Sequence, residues 1–319
     1  MDIQVRIAAH GGPEVLETME ATRRVPGPGE ILLRQFAIGI NFIDIYHRSG
    51  LYPLPEPRIP GVEGAGIVEA VGPDVEGLRI GDRVVYAGVP GGYTSIRLLP
   101  AWRAVRLPLS VPFETAATSM LRGLTANMLL TVSFPVRAGS VLLVHAAAGG
   151  LGAMLVRRAK RLGATVIGTA STQEKAAFAT AAGADHVIVG RTADVAGEIA
   201  DFTDGKGVDF VIDGIGGDML RQSLRCVRPF GTVASIGWVA GPVPPIRIEE
   251  LGMAALAKPS VMAYSADRGR YREAAQAVIE AIEAGIAVEI GGQFRLAEAA
   301  KAHMKLEAGD TTGSLVLLP

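Results

Sequence analysis

The sequence predicts an α/β protein in which a doubly wound parallel-sheet domain is inserted in the chain of a β-rich domain. Three observations predict it. Before residue 123, short apolar runs are split by Gly and Pro, as in a barrel-like β unit. After 124, fully apolar β-branched runs alternate with Ala-rich helical ones, the pattern of a parallel sheet covered on both faces. A glycine-rich turn joins the first of these strands to the first helix. The 319 residues suffice for two domains of about 150 residues each.

Taken in order, the first part offers strands over 30–40, 64–72, 82–89 and 93–100. The stretch 49–61 carries four prolines and is a loop long enough to line a site. The second part reads strand 140–146, helix 150–163, strand 165–171, helix 172–183, and strands 186–190, 207–216 and 230–237. It is expected to end near 260–265. The tail then supplies helices over 268–284 and 296–307 and a strand over 313–319, expected to return to the first domain. Residues 138–156 carry no formal charge, but four glycines within the run and Arg157 and Arg158 after it favour a strand, turn and buried helix over a membrane span. The N-terminal residues contain no apolar run of signal-peptide length, so a cytoplasmic protein is expected.

With 49% hydrophobic and 20% charged residues, the composition excludes disordered and collagen-like chains. A net charge of -1 leaves no electrostatic footprint for nucleic acid or an acidic membrane. The one cysteine, Cys226, excludes an internal disulfide and any Cys-based zinc framework. No His pair has metal-ligand spacing, so no metal is expected. His145, ending a strand, reads as a structural histidine, and Asp213 as a structural cap.

The sharpest motif is HAAAGGLG, in which Ala146, Gly149 and Gly152 stand at positions one, four and seven. A chain turning from strand to helix must present N–H groups to a pyrophosphate, and a side chain would block the approach. Ala148, Gly149, Gly150, Leu151 and Gly152 are therefore the expected dinucleotide cradle of a Rossmann domain. NAD-selective sites place an acid about 20 residues further on, at the ribose 2′-hydroxyl. Here Ser171 stands in that place and Lys175 follows in the next helix, a pair suited to a 2′-phosphate. NADP is the expected cofactor.

Read with NFIDIYHRSGLYP (41–53), GVEGAGIVEAVG (61–72), GDRVVY (81–86), HAAAGGLG and GTASTQEKAA (168–177), the whole chain resembles the zinc-independent, zeta-crystallin-like quinone oxidoreductases of the medium-chain dehydrogenase/reductase superfamily. Zinc members carry Gly-His-Glu where this chain has Gly61-Val62-Glu63. The resemblance implies a GroES-like catalytic domain over 1–123, completed by 266–319. It implies a Rossmann NADP-binding domain over 124–265, NADPH as hydride donor, and a homodimer, here expected through an edge strand around 260–265. It places Asn41, Tyr46 and Tyr52 as catalytic residues, Asn41 near the nicotinamide ribose and carboxamide and the tyrosines flanking the acceptor. The other reading of the tyrosine pair is that it merely packs the proline loop. Thr125 and the Ile236-Gly237-Trp238 turn after the fifth strand are implied on the nicotinamide side. Two further positions that hold the 2′-phosphate in close relatives are Gly190 and Gly309 here, with Arg191 adjacent to the first and able to compensate.

No zinc ligand set, G-x-S-x-G elbow or Cys/His pair suggests Lewis-acid or covalent catalysis, which leaves hydride transfer to an electrophilic small molecule. The expected activity is NADPH-dependent quinone reduction. Reduction of activated C=C bonds in enones, alkenals or enoyl thioesters is the alternative, and a non-catalytic NADPH-binding protein the remote one.

Overall fold

The computed structural model describes residues 1–319. They fall into two compact units, Met1–Leu124 with Met262–Pro319, and Thr125–Val261. The fold class is the one the sequence predicts.

The first unit opens with β1 (Ile3–Ile7), β2 (Leu16–Glu20) and β3 (Glu30–Gly39), then α1 (Phe42–Arg48). Strands β4 (Glu63–Val71), β5 (Arg83–Ala87), β6 (Ile96–Pro100) and β7 (Val105–Arg106) lead to α2 (Phe113–Met128). The break between the units falls inside this helix, which sequence periodicity does not reveal. Its residues Ala116, Ala117, Thr118, Ser119 and Met120 are all buried, so it lacks the polar stripe that marks an amphipathic helix.

The second unit follows with β8 (Val141–Val144), α3 (Gly150–Arg161), β9 (Thr165–Ala170), α4 (Gln173–Ala181) and β10 (His186–Val189). Then come α5 (Val195–Phe202), β11 (Val208–Asp213), α6 (Met219–Cys226), β12 (Val227–Ser235) and β13 (Ala255–Ala257), and the chain leaves the unit in a helical turn, α7 (Val261–Tyr264). All five pairings are parallel, in the order β10-β9-β8-β11-β12-β13. The order reverses between β8 and β11, where open α/β sheets place their ligands at the carboxyl ends of the strands. Leu143, Ile167, Val211 and Val233 from four neighbouring strands form the buried core with Ile199 and Leu220 of the covering helices. The edge strand expected at 260–265 lies instead at Ala255–Ala257. After it Pro259 has no N–H to offer a ladder, and 261–264 coil into α7. The uncharged stretch 138–156 is β8, a turn and the start of α3, and no helix of the chain is long and apolar enough to cross a membrane.

The chain then completes the first unit with α8 (Arg268–Glu283), β14 (Ile290–Arg295), α9 (Ala299–Ala308) and β15 (Ser314–Leu318). Strand β15 pairs antiparallel with β3, in a seven-stranded sheet ordered β14-β15-β3-β4-β5-β7 with β6 also on β3. Ile38 and Ile40 from the β3 end pack with Tyr93, Leu296, Leu315 and Leu317, which anchors the returning tail.

Candidate active site

In the second unit the site starts from Ala146. Its φ of 50° is left-handed, a conformation usually left to glycine, and it lets the chain double back from β8 to α3. The carbonyl of Ala146 accepts the Gly149 N–H at 2.9 Å, which closes the turn. A Cβ on Gly152 would lie 2.3 Å from that carbonyl oxygen and 2.8 Å from Ala147 Cα, so only glycine lets the helix pack this close. Gly149 is the N-cap of α3 and no side chain caps the helix. The first-turn N–H groups thus keep the partial positive charge that a phosphate would take up. The residues present fit a dinucleotide pyrophosphate.

The carboxyl end of β9 delivers Ser171, and Thr172 is the N-cap of α4, its hydroxyl accepting the Lys175 N–H at 3.3 Å. The first acid, Glu174, is exposed on the helix. The Gly190 N–H donates to the Ala170 carbonyl, which sets exposed Arg191 beside the same strand end. Gly190 has a φ of 120°, a conformation that a side-chain-bearing residue would resist. Gly309 closes α9 in the left-handed conformation, as a helix C-cap. Ser171 and Arg191 therefore follow the ends of the neighbouring strands β9 and β10, Lys175 stands in the first turn of α4, and no acid lies at the β9 tip. Ile236, Gly237 and Trp238 follow β12. A Cβ on Gly237 would lie 2.6 Å from the Gly214 carbonyl oxygen, and the Trp238 ring lies under the Lys258 ammonium at 4.9 Å. Thr125 is buried in α2.

In the first unit, Asn41 is the N-cap of α1, and its buried side chain donates from Nδ2 to Glu63 Oε1 at 2.7 Å. Glu63 is wholly buried and also accepts from the Leu121 N–H at 2.7 Å and Arg122 Nη1 at 3.2 Å. Burial pushes its carboxyl up and Arg122 and Asn41 pull it back; with three donors on it, the ionised form is the one satisfied. Asp44, also wholly buried, accepts from the Asn41 N–H at 2.9 Å, the Gly61 N–H at 3.1 Å and the Tyr93 hydroxyl at 3.3 Å. Burial pushes its carboxyl up to about 7, with the Glu63 charge adding to the rise. Tyr46 and Tyr52 meet edge to face at 5.4 Å, and the Tyr52 N–H donates to the Tyr46 carbonyl. The structure thus brings these two together, and Asn41 lies five residues before Tyr46, at the N-cap of the same helix.

Sequence reasoning missed Asp44, Glu63 and Arg122, because charged residues are expected at the surface. The available signal was Glu63 itself, the acid retained in a Gly-x-Glu motif. No group of three or more His, Cys, Asp and Glu side chains is arranged to hold a metal ion.

Asp44 also receives a buried chain of polar groups. Arg48 Nη1 donates to His303 Nδ1 at 3.2 Å, His303 Nε2 meets the Tyr93 hydroxyl at 2.8 Å, and that hydroxyl points on to Asp44. Burial and the Arg48 charge lower the His303 pKa to about 3, and burial lowers that of His47 to about 4. Both histidines fold neutral but would take a proton near 6.5 when unfolded, so they contribute stability that is lost as pH falls from about 6.5 toward 3. Asp44 acts oppositely, its contribution fading as pH rises from about 4 to 7. Burial also lowers the pKa of His145 and raises that of Glu63, so three histidines stand against two carboxyls; the thermal midpoint is expected to drop as pH falls below about 6.5, and His303→Gln to drop less steeply. Equal slopes for both proteins would contradict the assignment.

Residues 150–283 match the family described as zinc-binding dehydrogenase, and residues 27–109 the alcohol dehydrogenase GroES-like domain. The chain is 43% identical to a quinone oxidoreductase of Pseudomonas aeruginosa over 322 residues, 99% of each chain. It is 41% identical to a 2-haloacrylate reductase of a Burkholderia species, over 97% of this chain and 96% of that one. Among solved structures, the Escherichia coli quinone oxidoreductase complexed with NADPH matches with a TM-score of 0.96 and 39% identity, over 99% of this chain and 100% of that one.

Proposed function

Because the chain belongs to the zeta-crystallin-like quinone oxidoreductases of the medium-chain dehydrogenase/reductase superfamily, we propose that it is an NADPH:quinone oxidoreductase working without metal. The observation that carries this reading is the uncapped α3 N terminus behind a left-handed turn, beside a β9 tip that bears Ser171 and no acid. Ala148, Gly149, Gly150, Leu151 and Gly152 would hold the pyrophosphate, and Ser171, Lys175 and Arg191 the 2′-phosphate. Thr125, Ile236, Gly237 and Trp238 are the residues proposed for the nicotinamide half, the glycine allowing close approach. When bound, NADPH supplies a hydride that a quinone is electrophilic enough to accept directly. The protein's work is then orientation and exclusion of water. Asn41, its carboxamide fixed by Glu63, is the proposed positioning contact to the cofactor, and Tyr46 and Tyr52 present hydroxyls to the oxyanion left on the reduced acceptor.

The likeness to 2-haloacrylate reductase supports a second reading, reduction of activated C=C bonds on the same scaffold. NADPH oxidation over 1,4-benzoquinone, 9,10-phenanthrenequinone, 2-chloroacrylate and crotonyl-CoA separates the two. Turnover of the quinones is expected; turnover of the acrylate or thioester alone would overturn quinone reduction. In the same assay Lys175→Ala is expected to cut the preference for NADPH over NADH roughly tenfold, the scale of one charge-assisted contact. An unchanged preference would remove Lys175 from the 2′-phosphate site.

The single buried thiol, Cys226, suits the reducing cytoplasm proposed as its location, which fractionation beside a cytoplasmic marker checks. We also propose a homodimer, now through the exposed edge strand β13, whose outer backbone groups lack a strand partner within this chain's sheet. A sedimentation mass of two chains at micromolar concentration is expected; one chain would contradict it.

A further inference from the structure

Below the 146–152 turn a line of polar side chains crosses the sheet between β9 and α6. Asp213, at the end of β11, is wholly buried, as is Ser223 of α6. Ser223 Oγ donates to Asp213 Oδ2 at 2.8 Å and lies 2.9 Å from His145 Nε2. His145 Nδ1 lies 3.3 Å from Thr169 Oγ1, and that oxygen accepts the Ala146 N–H at 3.1 Å.

The proton positions along this line follow from the two ends. Asp213 as a carboxylate only accepts, so the Ser223 hydrogen points to it. Ser223 Oγ then has lone pairs left for His145, which must donate from Nε2. A neutral imidazole with its proton on Nε2 has a bare Nδ1, which accepts from the Thr169 hydroxyl. The Thr169 oxygen is thereby free to accept from the Ala146 amide. Burial favours the neutral imidazole, against the opposing pull of the Asp213 charge. Every group has one role, and all the bonds run in one direction, from the Ala146 amide to the carboxylate.

The other oxygen of Asp213 accepts the Ile215 and Gly216 N–H groups at 2.8 and 3.0 Å. A Cβ on Gly216 would lie 2.9 Å from the Gly237 carbonyl oxygen. One carboxylate therefore reaches the glycine turn after β8 through side chains and the turn after β12 through the 215–216 backbone. We propose that Asp213, Ser223, His145 and Thr169 form a positioning relay that holds the left-handed Ala146 amide, and with it the open N terminus of α3, in the geometry that receives NADPH. This deepens the dinucleotide reading above and rests on it. None of the four is a catalytic residue. The relay also supplies a reason that alanine is tolerated where close turns of this kind use glycine: a left-handed alanine is strained, and it persists where surrounding bonds over-determine it.

The test begins with the ligand-free, ¹⁵N-histidine-labelled wild-type protein at pH 7. Long-range ¹H–¹⁵N spectra are expected to show His145 neutral with its proton on Nε2. The Nδ1–H tautomer or an imidazolium would overturn the relay, whether or not any variant folds. In Ser223→Ala, amide exchange at Ala146 is expected to quicken about tenfold and the NADPH dissociation constant, read by cofactor fluorescence, to rise about fivefold, the scale of one hydrogen bond. Wild-type values for both in the folded variant would overturn the proposal. Failure of the wild-type protein itself to bind NADPH would sink the dinucleotide reading and with it the relay's purpose, while the tautomer and the exchange rate still report on the relay's geometry.

Discussion

Gly152→Ala is expected to weaken NADPH binding about 100-fold. The added methyl carbon would stand 2.3 Å from the Ala146 carbonyl oxygen, 2.8 Å from Ala147 Cα and 3.0 Å from the Ala146 carbonyl carbon. All three are backbone atoms of the turn itself, so relief comes only by opening the turn. Overpacking of that kind costs about 1–3 kcal/mol, and the upper end corresponds to roughly two decades in a dissociation constant. Gly149→Ala separates the two roles a glycine can have here. Its Cβ would meet only the Ala146 carbonyl oxygen, at 3.3 Å, so the fold should tolerate it while the methyl obstructs the pyrophosphate. Melting curves and fluorescence titrations on both variants check this. Wild-type affinity in Gly152→Ala would mean that the turn is not the nucleotide cradle.

Removing Arg122 should have the largest effect on stability. Its side chain is 11% exposed, pairs with wholly buried Glu63, and also donates to the Thr118 and Ile40 carbonyls at 2.9 and 2.7 Å. Stripping one member from a buried ion pair leaves an uncompensated charge, a loss of about 3–5 kcal/mol. Arg122→Met is therefore expected to unfold at much lower denaturant than wild type at pH 8. At pH 5 the deficit should shrink, because Glu63, without its cation, can take a proton in the folded state. The sign follows from linkage: a carboxyl raised in the folded protein contributes stability at low pH that fades as pH rises through its folded pKa. Glu63→Gln combined with Arg122→Met should recover part of the loss at pH 8. Equal deficits at both pH values would show that Glu63 is not the stranded charge.

The second unit was legible in the sequence almost strand by strand, because a sheet covered on both faces writes itself as continuous apolar runs, as in VLLV of β8 and VDFVID of β11. The glycine turn was legible for the same reason that it works: close backbone approach leaves few residue choices. What stayed hidden obeys other rules. Strand β14, IGGQFR, breaks its apolar alternation at Gly292, on the half-buried face with Ile290 and Phe294, where a Cβ would lie 2.9 Å from Leu315 Cδ2. Helix α2 is buried where a helix usually shows one polar face, and Gly123 within it lies against Val278. Strand β13 is three residues long, too short for any period to register, which moved the expected sheet edge to 260–265.

The site divides along the same line. Ala148, Gly149, Gly150, Leu151, Gly152, Ser171 and Lys175 follow from local spacing, whereas Asn41, Tyr46 and Tyr52 came from resemblance to a family. Of the groups that fix Asn41, Glu63 showed only as the acid of its Gly-x-Glu motif, and neither source gave its contact to Asn41. Glu63 and Arg122 are 59 residues apart in the chain, and only the packing of β4 against α2 explains why two charges are buried together. His145 and Asp213 read singly as structural residues; what the sequence could not state is that Ser223 and Thr169 join them into one line.

The most direct measurement follows the backbone amide signals of ¹⁵N-labelled protein during titration with NADPH. The cradle reading predicts the largest shifts at residues 148–152, with Ser171 and Lys175 moving for NADPH and less for NADH. If those amides stay still while NADPH binds and is oxidised, the nucleotide sits elsewhere and the functional assignment falls.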